Sequence, residues 1–277
     1  MNYANKYGQW ALITGGSTGI GLALAKQAAS CGMDVILVAR RAELLVQAQE
    51  AIQNQYKVKV KIIELDLTSD AALDSLFDAT KNLDVGMLVP NAGIELNGLF
   101  IKNSLEANIK LLRLNVEVPM ALAHHYGRMM AARNKGAIML ISSGFGYQAI
   151  PYIANYSATK AYILSLGEAL NVELKEYGID VTVLSPGLTK TSMTDNSTLN
   201  FNKLPVLSMT PDKVAMIGFN ALGKKATVVA GLLNKFYIWQ NRFVPRSMPV
   251  KLFGMLVRRA IKQEMRLELL NISTGVR

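Results

Sequence analysis

Residues 10–21 read Trp-Ala-Leu-Ile-Thr-Gly-Gly-Ser-Thr-Gly-Ile-Gly, and this stretch decides the fold. Trp10–Thr14 is a short apolar run that ends on a β-branched residue and reads as a strand. A helical pattern follows over about 19–31. Between them, Gly15, Ser17, Thr18, Gly19, Ile20 and Gly21 form a glycine-rich turn. Glycine lets the backbone turn sharply and approach a pyrophosphate closely, and the helix start then offers free N–H groups and a favourable dipole. Many helices start with glycine. The place of this one, between the first strand and the first helix, points to dinucleotide binding. Its spacing is G-x-x-x-G-x-G, which departs from G-x-G-x-x-G.

Working outward, further apolar runs occur at 35–39, 58–65, 85–89, 137–142, 181–184 and 227–230. They are apolar throughout, as strands of a parallel sheet covered on both faces should be. Helical patterns over about 41–55, 70–80, 104–134, 155–177 and 210–223 separate them. This alternation predicts right-handed βαβ units and an α/β, doubly wound, Rossmann-type sheet. In such sheets ligands bind beyond the carboxyl ends of the strands, where the motifs of this chain fall.

The turn resembles TGxxxGxG of the short-chain dehydrogenase/reductase family, and the resemblance extends over about residues 8–230. Asn91-Ala92-Gly93 after the fourth strand is similar to the family's Asn-Asn-Ala-Gly, with Pro90 in place of the first Asn. Tyr156-Ser157-Ala158-Thr159-Lys160 carries the family's Tyr-x-x-x-Lys, and a spacing of four puts both side chains on one helix face. Ser143 lies thirteen residues before Tyr156, and Asn115 lies on the long fourth helix, both as in the family. Asp66-Leu67 resembles the pair that contacts adenine. Pro186-Gly187, Thr189 and Thr191 resemble the segment that holds the nicotinamide carboxamide, with Thr189 where Val or Ile is usual.

The resemblance implies a catalytic set of Asn115, Ser143, Tyr156 and Lys160. A free phenol, with a pKa of about 10, is a poor proton-transfer group near neutrality, and a nearby ammonium should lower it. Tyr156 would give a proton to the developing alkoxide, and Ser143 would orient the same oxygen. Lys160 would hold the nicotinamide ribose, and Asn115 would hold a water linking Lys160 to solvent. The implied activity is NADPH-dependent reduction of a ketone to an alcohol, or its reverse. A non-catalytic NADP-binding protein is the competing reading, and the intact Ser143, Tyr156 and Lys160 set weighs against it.

The cofactor choice rests on the second strand's end, Val38-Ala39-Arg40-Arg41. NAD-preferring relatives carry an acid there. Here Arg40 is assigned to the 2′-phosphate of NADP(H), with Arg41 as a helper, because a guanidinium fork suits a dianionic phosphate. Tyr147, Gln148, Tyr152 and Met193 should flank the carbonyl, with 192–210 as a substrate loop. Their aromatic and apolar mixture suggests a hydrophobic ketone, acyl or sterol-like.

Composition bounds the rest. The single cysteine, Cys31, excludes an internal disulfide framework and fits a reducing, cytoplasmic setting. No Cys or carboxylate cluster supports a metal site, and His124 and His125, as neighbours on one helix, point apart. The net charge of +10 is uneven: residues 1–230 carry 21 basic and 18 acidic residues, whereas 231–262 carry seven basic and none acidic. This is not the basic face interleaved with aromatics that nucleic-acid binding needs. The chain thus divides into a catalytic domain, 1–230, and a basic amphipathic extension, 231–277. Ser247-Met248-Pro249 starts a helix there. On its wheel Val250, Leu252, Phe253, Leu256, Val257, Ala260 and Ile261 fill one half, and Lys251, Arg258, Arg259 and Lys262 the other. The apolar half should dock on the sheet domain, on a second subunit of a homo-oligomer, or peripherally on a membrane.

Overall fold

The computed structural model describes residues 2–261 except Asn196 and Pro205, so Lys262 and the end of the extension lie outside the described residues. Seven strands form one sheet: β1 Trp10–Thr14, β2 Asp34–Ala39, β3 Val60–Glu64, β4 Val85–Pro90, β5 Gly136–Ile141, β6 Ile179–Ser185 and β7 Thr227–Val229. Their order is β3-β2-β1-β4-β5-β6-β7, with every neighbouring pair parallel. The helices are α1 Tyr3–Tyr7, α2 Gly19–Ser30, α3 Ala42–Gln53, α4 Ala72–Thr80, α5 Leu105–Leu112, α6 Val118–Ala131, α7 Ala154–Glu173, α8 Ser192–Asp195, α9 Pro211–Ala221, α10 Leu232–Gln240 and α11 Ser247–Ala260.

Strand alternation divides the core. Ala11 and Ile13 of β1 pack with Leu24 of α2, Leu45 of α3 and Phe219 of α9. Leu12, between them, points the other way and joins Leu76 of α4, Leu122 of α6 and Ile163 of α7. Both faces of the sheet are therefore covered, as the unbroken apolar strands require. A third cluster lies at the carboxyl ends of the strands. It joins Leu111, Ile150, Ile153 and Tyr156 to Leu199 of the substrate loop and to Val257 and Ile261 of the extension.

Three features differ from the sequence reading. First, α1 is an added helix, capped by Asn2, whose side chain accepts from the Asn5 N–H at 3.1 Å. Tyr7 at its end donates to Asp180 at 2.7 Å. Five residues are too few to show a hydrophobic period.

Second, the single helix expected over 104–134 is interrupted by a π-helical turn, Arg113–Glu117. The Val118 N–H reaches back five residues to the Arg113 carbonyl. Pro119 explains the break: it has no N–H to offer the Asn115 carbonyl four residues earlier.

Third, the extension contains two helices, and its apolar residues do not form one buried half. Val257, Ala260 and Ile261 are buried, whereas Leu252 is half-exposed. The Leu199 and Ile261 backbones form an antiparallel bridge, and the Asn200 N–H donates to the Ala260 carbonyl at 2.7 Å. α11 thus packs on its own chain through the substrate loop.

Candidate active site

The strand order reverses direction between β1 and β4, and a cleft of about 640 Å³ opens at their carboxyl ends. Gly15, Ser17, Thr18, Gly19, Ile20 and Gly21 line one side of it. Gly15 has φ +64°, a left-handed conformation that favours glycine. A Cβ on Gly21 would collide with the Gly15 carbonyl oxygen, so only glycine lets α2 start this close to the turn. Thr18 precedes α2 without a side-chain cap, which leaves the first N–H groups directed at the cleft. This cradle fits a pyrophosphate.

Arg40, Arg41, Asp66 and Leu67 line the end of the cleft beside β2 and β3. Both arginines are exposed, and neither forms a salt bridge among the described residues. Asp66 accepts from the Thr68 N–H at 2.9 Å and the Thr68 hydroxyl at 2.7 Å. Partial burial pushes its carboxyl up, but these two bonds and the Arg40 charge bring it below the usual range.

Asn91, Ala92, Gly93 and Thr191 line the other end. Asn91 donates to the Thr14 carbonyl at 3.0 Å, and the Ala92 N–H donates to the Thr14 hydroxyl at 3.0 Å, so the segment is pinned to β1. Asn115, in the π turn, accepts from the Ile94 N–H at 3.0 Å and donates to the Ile94 carbonyl at 2.9 Å and to Thr159 at 3.3 Å. All its amide groups are engaged in holding the strand exit against α7.

Lys160 and Tyr156 are buried on α7 behind this segment. The Lys160 ammonium donates to the Ile141 carbonyl at 3.0 Å and lies 5.6 Å from the centre of the Tyr156 ring. A Cβ on Gly93 would lie 3.8 Å from the Lys160 Nζ, so glycine there brings the cleft wall up to the lysine. Ser143, at the end of β5, accepts from the Phe145 N–H at 3.2 Å and hydrogen-bonds the Tyr156 phenol. Burial, with a smaller contribution from Glu95, holds the phenol above its ordinary value of 10, against the opposing Ser143 bond. Burial also draws Lys160 down to about 8. Desolvation thus outweighs the lowering of the phenol that the ammonium alone would give.

Thr189 is buried and donates to the Gly187 carbonyl at 3.0 Å rather than into the cleft. Pro186-Gly187 lies beneath α10, where the Asn234 side chain fills the space over Gly187. Of the expected substrate residues, Met193 on α8 lines the cleft and Tyr152 packs in the cluster with Tyr156. Tyr152 has φ +69°, a costly conformation for a tyrosine. Tyr147 packs on the α4, α6 and α7 side of the core with its hydroxyl buried and unpaired, and Gln148 donates to the neighbouring Ala149 carbonyl at 3.4 Å. Neither of these two belongs to the apolar cluster that holds Tyr156.

Sequence reasoning missed Glu95. It lines the cleft, accepts from Ser197 of the substrate loop at 3.3 Å, and burial pushes its carboxyl up. An acid inside the apolar run Ala92-Gly93-Ile94-Glu95-Leu96 was the available signal.

A family model for short chain dehydrogenases matches residues 9–201. The chain belongs to the short-chain dehydrogenase family. A 7beta-hydroxysteroid dehydrogenase from Clostridium sardiniense is 34% identical over 247 residues, covering 89% of this chain and 95% of that protein. A solved structure from work on 7beta-hydroxysteroid dehydrogenase stereoselectivity superposes with TM-score 0.84 and 30% identity, over 91% of this chain and 99% of the other. A short-chain dehydrogenase from Sphingobium yanoikuyae in complex with NADPH gives TM-score 0.75 and 27% identity, over 85% and 93%. As a short-chain dehydrogenase the chain is an oxidoreductase of hydroxyl and ketone groups.

Proposed function

We propose that this chain reduces a hydrophobic ketone with NADPH, and runs in reverse on the alcohol. What supports this reading is the closeness of Ser143 and Lys160 to Tyr156, with Lys160 behind Gly93, which lines the cleft. The nicotinamide, when bound, supplies the hydride. Each protein group has a separate task. Tyr156, buried and held in its protonated form, is a proton donor kept ready for a developing alkoxide. Ser143 orients the same oxygen through its hydroxyl. Lys160 keeps its charge at neutral pH and would meet the nicotinamide ribose from behind Gly93. Asn115 positions the wall between them by clamping Ile94.

Arg40 and Arg41, exposed after β2 and without a salt bridge among the described residues, favour the 2′-phosphate of NADP(H). The Sphingobium relative's complex with NADPH supports the same choice. The apolar cluster of Ile150, Ile153 and Leu199 around Tyr156 supports a bulky apolar substrate, and the relatives named for hydroxysteroids suggest a polycyclic one. Leu105, Ile109 and Leu112 form an exposed stripe on α5 at helical spacing, which supports a homo-oligomer.

The test is NADPH oxidation across a panel of steroid ketones and long-chain acyl ketones. Turnover should require Tyr156: Tyr156→Phe should lower kcat by at least about a hundredfold while leaving NADPH affinity nearly intact. A Tyr156→Phe enzyme with near-normal kcat would refute the assignment.

A further inference from the structure

Between Gly231 and Ile261 the chain packs against segments that flank the site. α10 passes beside the Gly144–Tyr147 turn, and Asn234 donates to the Ala230 carbonyl at 2.7 Å. α11 sets Gly254 against Pro151 and buries Val257 and Ile261 beside Leu199. These contacts account for one side of each helix only.

The other side is apolar and open to water. On α10 and the turn after it, Leu232 is 83% exposed, Trp239 56% and Phe243 71%, with Phe236 exposed between them. Their spacings of four, three and four make one helical stripe. On α11, Met248, at 61% exposure, and the exposed Leu252 and Met255 repeat the pattern at four and three. At 100° per residue these three share an arc of about 120° with Lys251, Arg258 and Arg259, opposite the buried Val257. Lys235, Arg246 and all three of those basic residues are exposed. No acid occurs between Gly231 and Ile261.

We propose that this face lies on the surface of an anionic lipid membrane. Trp239, Phe243 and the α11 stripe would sit at the boundary of headgroups and acyl chains, and the basic side chains would meet lipid phosphates. Bulky apolar groups interleaved with basic ones, and with no acid, are the chemistry of an interfacial helix. A tryptophan suits that depth because it has an apolar body and a polar N–H. No helix among the described residues is long and apolar enough to cross a membrane, so the mode is lying on the surface rather than spanning it. A second copy of the chain is a poorer occupant: a two-fold contact through this face would set basic residues against basic residues. The inference stands on the surface alone and does not depend on the proposed reaction.

The full chain has two tryptophans, so Trp10→Phe leaves Trp239 as the only reporter. That protein is mixed with vesicles of phosphatidylcholine alone or with phosphatidylglycerol added, at low and high salt. Sedimentation should bring the protein down with the phosphatidylglycerol vesicles at least about tenfold more tightly than with phosphatidylcholine alone. The emission of Trp239 should shift to the blue on binding, and salt should weaken the association. Trp239→Ser with Phe243→Ser should remove binding. Lys251→Glu and Arg259→Glu should each weaken it about fivefold or more, with circular dichroism unchanged. Protein that stays in the supernatant with phosphatidylglycerol vesicles at low salt overturns the proposal, as does undiminished binding after the paired serine change. A lipid-free dimer that the same serine pair dissolves would assign the face to a second copy instead.

Discussion

Ser197 donates to the Glu95 carboxyl at 3.3 Å, which ties the substrate loop to the segment leaving β4. Asn97 donates to Ser197 at 3.0 Å, so the bond belongs to a small polar knot inside an apolar wall. Burial pushes Glu95 above the usual carboxylate range, and its negative charge in turn helps hold Tyr156 up.

Glu95→Gln keeps a hydrogen-bonding side chain and removes that charge. The phenol should then ionise more readily. The alkaline limb of the pH–rate profile for alcohol oxidation should move down by about half a unit to one unit. Stability should change too. The folded chain binds more protons than the unfolded one between the ordinary glutamate pKa of about 4.5 and the raised value, so it loses stability as pH rises through that window. Glu95→Gln should abolish this loss. An unmoved kinetic limb would show that Glu95 does not act on Tyr156.

Lys160 makes a second pH prediction of opposite sign. Its folded pKa of about 8 lies below the ordinary lysine value of 10.5. Between these values the unfolded chain binds more protons, so the folded state gains stability as pH rises from about 8. Below that, holding a charged ammonium in a buried place costs about 1–3 kcal/mol. Lys160→Met, free of cofactor, should gain stability over the parent at pH 7, and the gain should shrink by pH 10. Urea midpoints at both pH values measure it. A difference that is constant with pH would mean that Lys160 is not desolvated.

The glycine turn yields a steric prediction. Gly21→Ala places a methyl group on the Gly15 carbonyl oxygen, which is backbone, and against the Asn91 side chain. Relief requires α2 to move off β1, at a cost of about 1–3 kcal/mol. The melting temperature should fall, and NADPH binding should weaken at least tenfold, because the same movement opens the phosphate cradle. Normal melting with normal cofactor affinity would show that the turn has slack.

Much of the fold was legible because its signals are local. Ala11, Leu12 and Ile13 read as a strand from composition alone, and the Gly15–Gly21 spacing announced the turn that follows. Tyr156 and Lys160 were legible because a spacing of four fixes a shared helix face. What escaped depends on the third dimension. The π turn at Asn115 follows from Pro119, but only once the missing N–H is matched to a carbonyl four residues back. Glu95 gained its environment from Ser197, 102 residues away. The lowering of Tyr156 by Lys160 was inferred from charge, whereas burial, which no local pattern records, sets the direction for both groups. The face of α11 that packs was set by Leu199, a partner in a loop with no period of its own.

Arg40 carries the cofactor prediction. It follows Ala39 at the end of β2, lines the cleft and forms no salt bridge among the described residues. A guanidinium with no salt bridge among the described residues has no such bond to break when a phosphate dianion arrives. Hydrogen bonds to charged groups contribute about 1.5–3 kcal/mol, so Arg40→Ala should weaken NADPH about tenfold to a hundredfold and leave NADH nearly unchanged. Arg41→Ala should do less, because Arg41 occupies the N-cap of α3. Arg40→Asp should go further: an acid there repels the 2′-phosphate and accepts from the ribose hydroxyls of NADH, so the preference should reverse. Salt should also separate the two cofactors, with NADPH affinity falling faster than NADH affinity as the arginine is screened. Fluorescence titration of both cofactors against the parent and the three variants decides the matter. Equal affinities in the parent, or an Arg40→Asp variant with unaltered preference, would remove Arg40 from the site.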